Sequence, residues 1–272
     1  VNKTILITGS TDGIGLETAR TLVSMGHNLL IHGRNPAKLE EVEKSLSETA
    51  DGGSIEAYVA DLSRMSDVEA FAKAVTERHD NLDALINNAG VFRTPKTTTP
   101  EGLDTRFAVN TIAPCLLTQR LMPLLGSSGR VINLSSAAQS PVNFDALAGR
   151  IKLSDDLEAY AQSKLAITMW SRHLGLTLNE NAPCFVAVNP GSLLGTKMVR
   201  EAFGMAGKDV RIGADILIRA ALSDEFESVS GQYFDNDPGR FASPHRDALD
   251  PRKSGEVVLA IEAVLADLGQ QC

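Results

Sequence analysis

The chain is poor in cysteine: three in 272 residues, widely separated at Cys115, Cys184 and Cys272. An odd number at such spacing supports neither a disulfide framework nor a metal-binding motif. Cys115 and Cys184 lie in apolar segments and read as small core residues, which suits a reducing, cytoplasmic setting. The five histidines include no close-spaced pair of the kind zinc selects, so no metal is expected. Basic residues are also few. The 26 Lys and Arg are outnumbered by 34 Asp and Glu, giving a net charge of -8. That balance argues against a nucleic-acid partner, which calls for basic patches, and fits a solvated surface. No apolar run approaches the roughly 18–20 residues that cross a bilayer. The first strand-like run begins at Thr4, with no signal-peptide pattern before it. A soluble protein with no membrane partner is expected.

What is present is a regular alternation. Short apolar runs occur at Thr4 to Thr8, Asn28 to Ile31, Ile55 to Val59, Ala84 to Asn87, Val131 to Leu134, Phe185 to Val188 and Gln232 to Phe234. Most are rich in Val, Ile and Leu without polar alternation, as in parallel strands buried on both faces. Stretches of helical period lie between them. Asn35-Pro36 supplies an N-cap and a first-turn proline ahead of Leu39, Val42 and Leu46, which share one face. Ser66-x-x-Glu69 reads as a capping box ahead of Phe71, Ala72 and Val75. The pattern predicts an α/β fold: one doubly wound Rossmann-type parallel sheet of about seven strands, order 3-2-1-4-5-6-7, with helices on both faces. No linker or repeat interrupts it, so residues 1–272 read as one domain. Irregular segments are expected at Val91 to Glu101, Ala137 to Asp156, Ser192 to Lys208 and Asp235 to Pro251.

The first strand runs into Thr8-Gly9-Ser10-Thr11-Asp12-Gly13-Ile14-Gly15 and then into a helix. A strand that turns directly into a helix aims free backbone N–H groups and a positive dipole end at one spot. Glycines there let a pyrophosphate approach the backbone, so Gly9, Thr11, Asp12, Gly13, Ile14 and Gly15 are read as a dinucleotide cradle. The second strand ends in His32-Gly33-Arg34-Asn35, with no carboxylate to hold the ribose hydroxyls of NAD. Arg34 offers a fixed, planar charge suited to a 2′-phosphate, so NADP(H) is favoured over NAD(H). The competing reading of Arg34 is an ordinary surface arginine.

Tyr160-Ala-Gln-Ser-Lys164 puts a phenol and an ammonium four positions apart, on one face of a helix. A neighbouring ammonium favours the phenolate and is expected to lower a phenol pKa of about 10. The same lysine can donate to ribose hydroxyls. The spacing alone is common, so it needs company.

Company is supplied by motifs in a fixed order, and with them the chain resembles the short-chain dehydrogenase/reductase family. The likeness is to its single-domain branch and is nearest in pattern to retinol-dehydrogenase-like members. Thr8 to Gly15 matches the cofactor turn, Asp61-Leu62 the pair against adenine, and Asn87-Asn88-Ala89-Gly90 the motif closing the fourth strand. Asn110 matches a helix asparagine holding a relay water, and Ser136 the serine that orients the substrate oxygen. Tyr160 and Lys164 match the acid–base pair, and Asn189-Pro190-Gly191 with Thr196 the turn beside the nicotinamide. Local chemistry keeps three rivals open. Ser135 competes with Ser136, since adjacent strand residues face opposite ways; Asn110 could bond backbone in a kinked helix; Asp61 could be an N-cap.

The resemblance implies hydride transfer between a nicotinamide and a small carbonyl or alcohol, with Tyr160 as general acid/base. It also implies a homodimer or homotetramer built from the helices that bear Asn110 and Tyr160. The alternatives are a catalytically silent NADP(H)-sensing protein, and an epimerase or dehydratase of the extended branch. Two segments depart from the compact family pattern. Tyr160 follows Ser136 by 24 positions, a longer gap that places a substrate loop at about 137–156. The turn after Gly191 carries one more residue before Thr196, and Leu193, Leu194, Met198, Val199, Phe203 and Met205 make the segment apolar. That stretch, about 192–208, reads either as a lid over an apolar substrate or as core packing.

Overall fold

A computed structural model of the chain describes residues 2–269, which leaves Cys272 outside the described residues. β1 (Thr4–Ile7), α1 (Gly13–Ser24), β2 (Asn28–Gly33), α2 (Pro36–Ser47) and β3 (Ile55–Val59) form the first half of the winding. α3 (Met65–Thr76) leads to β4 (Ala84–Asn87). An interrupted helix follows: α4 (Thr105–Phe107), a π-helical turn at Ala108–Ile112, and α5 (Ala113–Leu125). Next come β5 (Arg130–Leu134), the short α6 (Phe144–Leu147), the long α7 (Asp156–Thr177) and β6 (Cys184–Asn189). The described chain finishes with α8 (Lys197–Phe203), α9 (Arg211–Leu222), β7 (Gln232–Asp235), β8 (Arg240–Ala242) and α10 (Pro251–Asp267).

The strands form one sheet in the order 3-2-1-4-5-6-7-8. The expected order of the first seven holds, and all of those pairings are parallel. The eighth strand corrects the expectation of irregular chain after Asp235. β8 pairs antiparallel with β7 through Tyr233–Ala242, Phe234–Phe241 and Asp235–Arg240. Four residues ending in Gly239, at φ 69°, separate the two strands. That is too short for a crossover, so the chain can only return antiparallel.

Strand alternation divides the core. Ile5, Ile7, Leu29 and Ile31 pack with α1, α2 and α9, while Leu6 and Leu30 face the opposite side with α3, α5, α7 and α10. Leu39, Val42 and Leu46 are buried on α2, whose Asn35 side chain accepts the Lys38 N–H at 3.2 Å, as the sequence indicates. The capping box at Ser66 does not form. α3 starts two residues earlier, with Arg64 at its N-cap, because a turn closed by Arg64 N–H to Asp61 O has already set its entry. Glu69 is drawn away to a bidentate pair with Arg120 on α5.

α10 decides which faces stay open. Its Val257, Val258, Ile261, Val264 and Leu265 share a core with Leu165, Ala166, Met169 and Trp170 of α7. Residues 161–171 of α7 and 113–118 of α5 are buried without a break. α10 thus covers one side of α7 within the chain itself.

β2 also carries a histidine into the interior. His32 is 3% exposed, and its Nδ1 accepts the Gly9 N–H at 3.1 Å. That fixes the proton on Nε2, which donates to Ala60 O at 3.0 Å, while the ring stacks on Phe71 at 5.1 Å. Burial lowers the His32 pKa from 6.5 to about 4.

Two outcomes follow from this packing. Ile261→Ala, which opens a cavity between α10 and α7, is expected to lower unfolding free energy in urea by about 2–5 kcal/mol. His32 stays neutral when folded, so its contribution is complete above pH 6.5. It is lost as acid protonates the unfolded chain first, between pH 6.5 and about 4. Over that window the wild type should lose about 3 kcal/mol more than His32→Phe. Equal acid losses in the two proteins would show that His32 is not held neutral.

Candidate active site

A cleft of about 1010 Å³ runs across the ends of the central strands, where the winding reverses between β1 and β4. One wall is the glycine turn. Gly9 and Gly13 take φ values of 69° and 54°, which favour glycine. A Cβ on Gly9 would lie 2.9 Å from Ala89 Cα, and one on Gly15 would lie 2.3 Å from Gly9 O. Close packing against Ala89 and within the turn itself dictates Gly9 and Gly15, backbone conformation favours glycine at 13, and the turn shows bare backbone to the cleft. Asn88 locks the arrangement by donating its amide to Thr8 O at 2.8 Å and Gly9 O at 3.1 Å. The Ala89 N–H reaches Thr8 Oγ1 at 3.0 Å. Asn88, expected to touch a cofactor, spends its side-chain amide on holding the turn.

The outer end is polar. Arg34 is exposed, lines the cleft with Thr11, Asn35 and Lys38, and has no ion-pair partner among the described residues. Asp61 and Leu62 line the same cleft. Asp61 uses Oδ1 to accept Ser63 N–H and Oγ–H, so it closes a turn rather than capping α3. Asp12 caps α1 by accepting Gly13 N–H at 2.8 Å, and it pairs with Lys38 at 3.1 Å.

The inner end gathers the titratable groups. Lys164, 4% exposed, donates from Nζ to Leu134 O at 2.7 Å, and a Cβ on Gly90 would stand 3.5 Å from that nitrogen. Burial lowers its pKa from 10.5 to about 8. Tyr160 sits with its ring centroid 5.7 Å from Nζ. The expected fall in the phenol pKa does not occur. Burial raises it, and the opposing hydrogen bond with Ser136 does not cancel that effect. Removal from water outweighs the nearby Lys164, whose ammonium is held against the Leu134 carbonyl, so the phenol keeps its proton near neutral pH.

The two serines part company as alternation requires. Both line the cleft, but Ser135 Oγ is bound to Thr168 Oγ1 at 2.6 Å, whereas Ser136 Oγ accepts the Ala138 N–H at 3.1 Å and stands next to Tyr160. Asn110 sits inside the π-helical turn. Its Oδ1 accepts Val91 N–H at 2.8 Å, and its amide donates to Val91 O and Ser163 Oγ, both at 2.9 Å. Both amide hydrogens are used. The side chain pins the chain after Gly90, as the backbone-bonding alternative anticipates, although its target lies outside its own helix.

At the mouth, Asn189-Pro190-Gly191 is braced from β7 and beyond, with Asn236 donating to Pro190 O and Asn189 to Asp235 and Asp237. Residues 192–208 form a loop around α8. Its neck is closed by Gly195 N–H to Lys208 O and Lys208 N–H to Leu193 O, at 2.6 and 2.7 Å. Thr196 caps α8 by accepting Val199 N–H, and its methyl group faces Gly13. α8 buries no residue, whereas Leu194 ahead of it is 3% exposed. Phe203 instead stacks on Phe92 at 5.9 Å, and Phe92 meets the Tyr160 ring edge-on at 5.1 Å. Phe92 carries no periodic signal because it follows the strand in irregular chain. Lys38 was findable, being one turn into a helix that starts beside Arg34.

The bare glycine turn, the helix start at its base and the continuous cleft from Arg34 to Tyr160 fit an extended dinucleotide. Among the described residues no helix is long and apolar enough to cross a membrane. The short chain dehydrogenase family model matches residues 3–206. Retinol dehydrogenase 13 of Mus musculus is 31% identical over 260 residues, covering 89% of this chain and 78% of the relative. Polyprenol dehydrogenase of Homo sapiens is 31% identical over 256 residues, covering 87% and 77%. Among solved structures, an uncharacterized protein from Mycobacterium paratuberculosis superposes with a TM-score of 0.80 at 27% identity, covering 96% of this chain and 92% of that one. The NADPH-bound carbonyl reductase from chicken fatty liver gives 0.70 at 25%, covering 89% and 94%. The chain belongs to the short-chain dehydrogenase family, close to its retinol-dehydrogenase-like members, and is an NAD(P)-dependent oxidoreductase acting on CH–OH donors.

Proposed function

We propose that this oxidoreductase uses NADP(H) and interconverts an apolar alcohol and its carbonyl compound, with Tyr160 as general acid/base. The observation that carries this reading is the meeting of Tyr160, Ser136 and buried Lys164 at one end of a cleft whose other end holds unpaired Arg34. A bound nicotinamide dinucleotide supplies the hydride, or accepts it in the reverse direction. Gly9, Gly13, Ile14 and Gly15 would cradle its phosphates, Asp61 and Leu62 its adenine, and Asn88, Ala89 and Gly90 flank its middle. Pro190, Gly191 and Thr196 would border the nicotinamide, and Arg34 would meet the 2′-phosphate.

In reduction, Ser136 and Tyr160 hold the substrate carbonyl oxygen by hydrogen bonds. Tyr160 releases its phenolic proton to that oxygen as negative charge develops there. A phenol kept protonated by burial suits this step. Lys164 stabilises the phenolate left behind and would hold ribose hydroxyls. Asn110 acts as a positioning residue, through Val91, for the chain next to Gly90 and Lys164. Phe92, Leu157, Met198, Val199 and Phe203 give the mouth an apolar lining. Relatives named for retinol and polyprenol, both apolar alcohols, support the same substrate class.

Tyr160→Phe is expected to lower kcat by about 10²–10⁴-fold while NADPH still binds, as followed by fluorescence titration and steady-state reduction of apolar aldehydes. Unchanged turnover would remove Tyr160 from the mechanism. The kcat/KM for reduction should fall as pH rises through about 8, where Lys164 loses its charge in the free enzyme. A profile flat to pH 9.5 would contradict that role.

A further inference from the structure

Ser136 stands where β5 gives way to irregular chain. The Ser135 N–H still bonds Val188 O on β6 at 2.8 Å, whereas Ser136 lies beyond the ladder. Its carbonyl is taken up by two side chains instead. Tyr233 Oη donates to Ser136 O at 3.2 Å, and Gln139 Nε2 donates to the same oxygen at 2.9 Å. Both lone pairs of that carbonyl are thereby used. Strand alternation delivers the tyrosine: Phe234 packs with α9, and Tyr233, 5% exposed, takes the opposite face of β7. Burial and the nearby carboxylates of Asp235 and Asp237 push its phenol well above the ordinary value, so it remains a donor. The Gln139 amide is oriented in turn by the segment after β8, because its Oε1 accepts the His245 N–H at 2.9 Å. Ser136, Ala137 and Ala138 line the cleft; Tyr233 and Gln139 do not.

We infer that Tyr233 and Gln139 are positioning residues, which clamp the Ser136 carbonyl and so aim the Ser136 hydroxyl at the substrate oxygen beside Tyr160. The inference rests on the roles given above to Ser136 and Tyr160, and adds a support that reaches them from β7 and from beyond β8. The strand holds Ser136 from one side and the clamp from the other, so its Cβ cannot swing away while both bonds last. Ser136 Oγ also accepts the Ala138 N–H at 3.1 Å, so a shift of this backbone would carry the hydroxyl with it. A displacement of about 1 Å at a reacting group can cost about 10²-fold in rate, and losing one of two clamps should cost less, about tenfold.

The test is a double-mutant cycle on the full chain, read as kcat for whichever of decanal and retinal the wild type reduces faster. NADP+ dissociation constants from calorimetry and Tm serve as controls. Ser136→Ala alone should lower kcat by about 10²–10³-fold. Tyr233→Phe keeps the ring and should lower kcat by about tenfold, with NADP+ affinity changed by less than about twofold. On the Ser136→Ala background the same substitution should cost less than about twofold, because the hydroxyl it aims is gone. Gln139→Met, at a half-buried position, gives the same comparison should Tyr233→Phe lower Tm strongly. A full loss on both backgrounds, or a loss carried by NADP+ affinity, would overturn the inference and leave the role of Ser136 standing. Wild-type kcat in both Tyr233→Phe and Gln139→Met would do the same. Wild-type kcat in Ser136→Ala, or no reduction of either aldehyde by the wild type, would overturn the underlying reading and this inference with it.

Discussion

The buried ammonium of Lys164 is the constraint around which the rest of the site is arranged. A lysine 4% exposed is costly unless its donors find acceptors, and Leu134 O at the end of β5 supplies one at 2.7 Å. Holding Nζ there requires α7 to lie against the sheet, and Gly90 lies beside that nitrogen. α10 presses α7 into place, and Asn110 fixes the residue after Gly90 through both polar atoms of Val91. The π-helical turn at Ala108–Ile112 is the local deformation in which that asparagine sits. The charge that would anchor a ribose and the phenol that would move a proton therefore share one support.

The same arrangement sets the protonation states. Removal from water raises Tyr160, lowers Lys164 to about 8 and lowers His32 to about 4, so in each case burial disfavours the charged form. Near neutral pH the site holds a protonated phenol beside a lysine that is charged but close to losing its proton. His32 stays neutral and serves as a strut between the glycine turn and the end of β3. None of these groups depends on a surface ion pair, so salt should affect the outer, phosphate-facing end of the cleft more than the inner one.

Much of this was legible in the sequence, and the boundary has physical causes. Seven strands and their order follow from apolar runs that need burial on both sides, and Gly9, Gly13 and Gly15 from a turn that tolerates no Cβ. β8 was not legible because Arg240–Ala242 is short, on the sheet edge, and carries no pattern of its own. The Ser66 capping box failed because the preceding turn through Asp61 had already started α3, a tertiary choice that local spacing cannot reveal. Four-residue spacing places Tyr160 and Lys164 on one helix face, yet it cannot say which way the phenol pKa moves. That depends on burial contributed by distant segments. Nor does sequence distance show that α10 would pack along α7.

The most direct measurement of the central claim is a crystal structure of the protein with NADP+ and an apolar alcohol bound. The account predicts the 2′-phosphate beside Arg34, and the nicotinamide between Gly191 and Tyr160. The alcohol oxygen should lie within hydrogen-bond reach of both Tyr160 and Ser136. A dinucleotide bound in the opposite sense, or an alcohol oxygen held away from Tyr160, would contradict it.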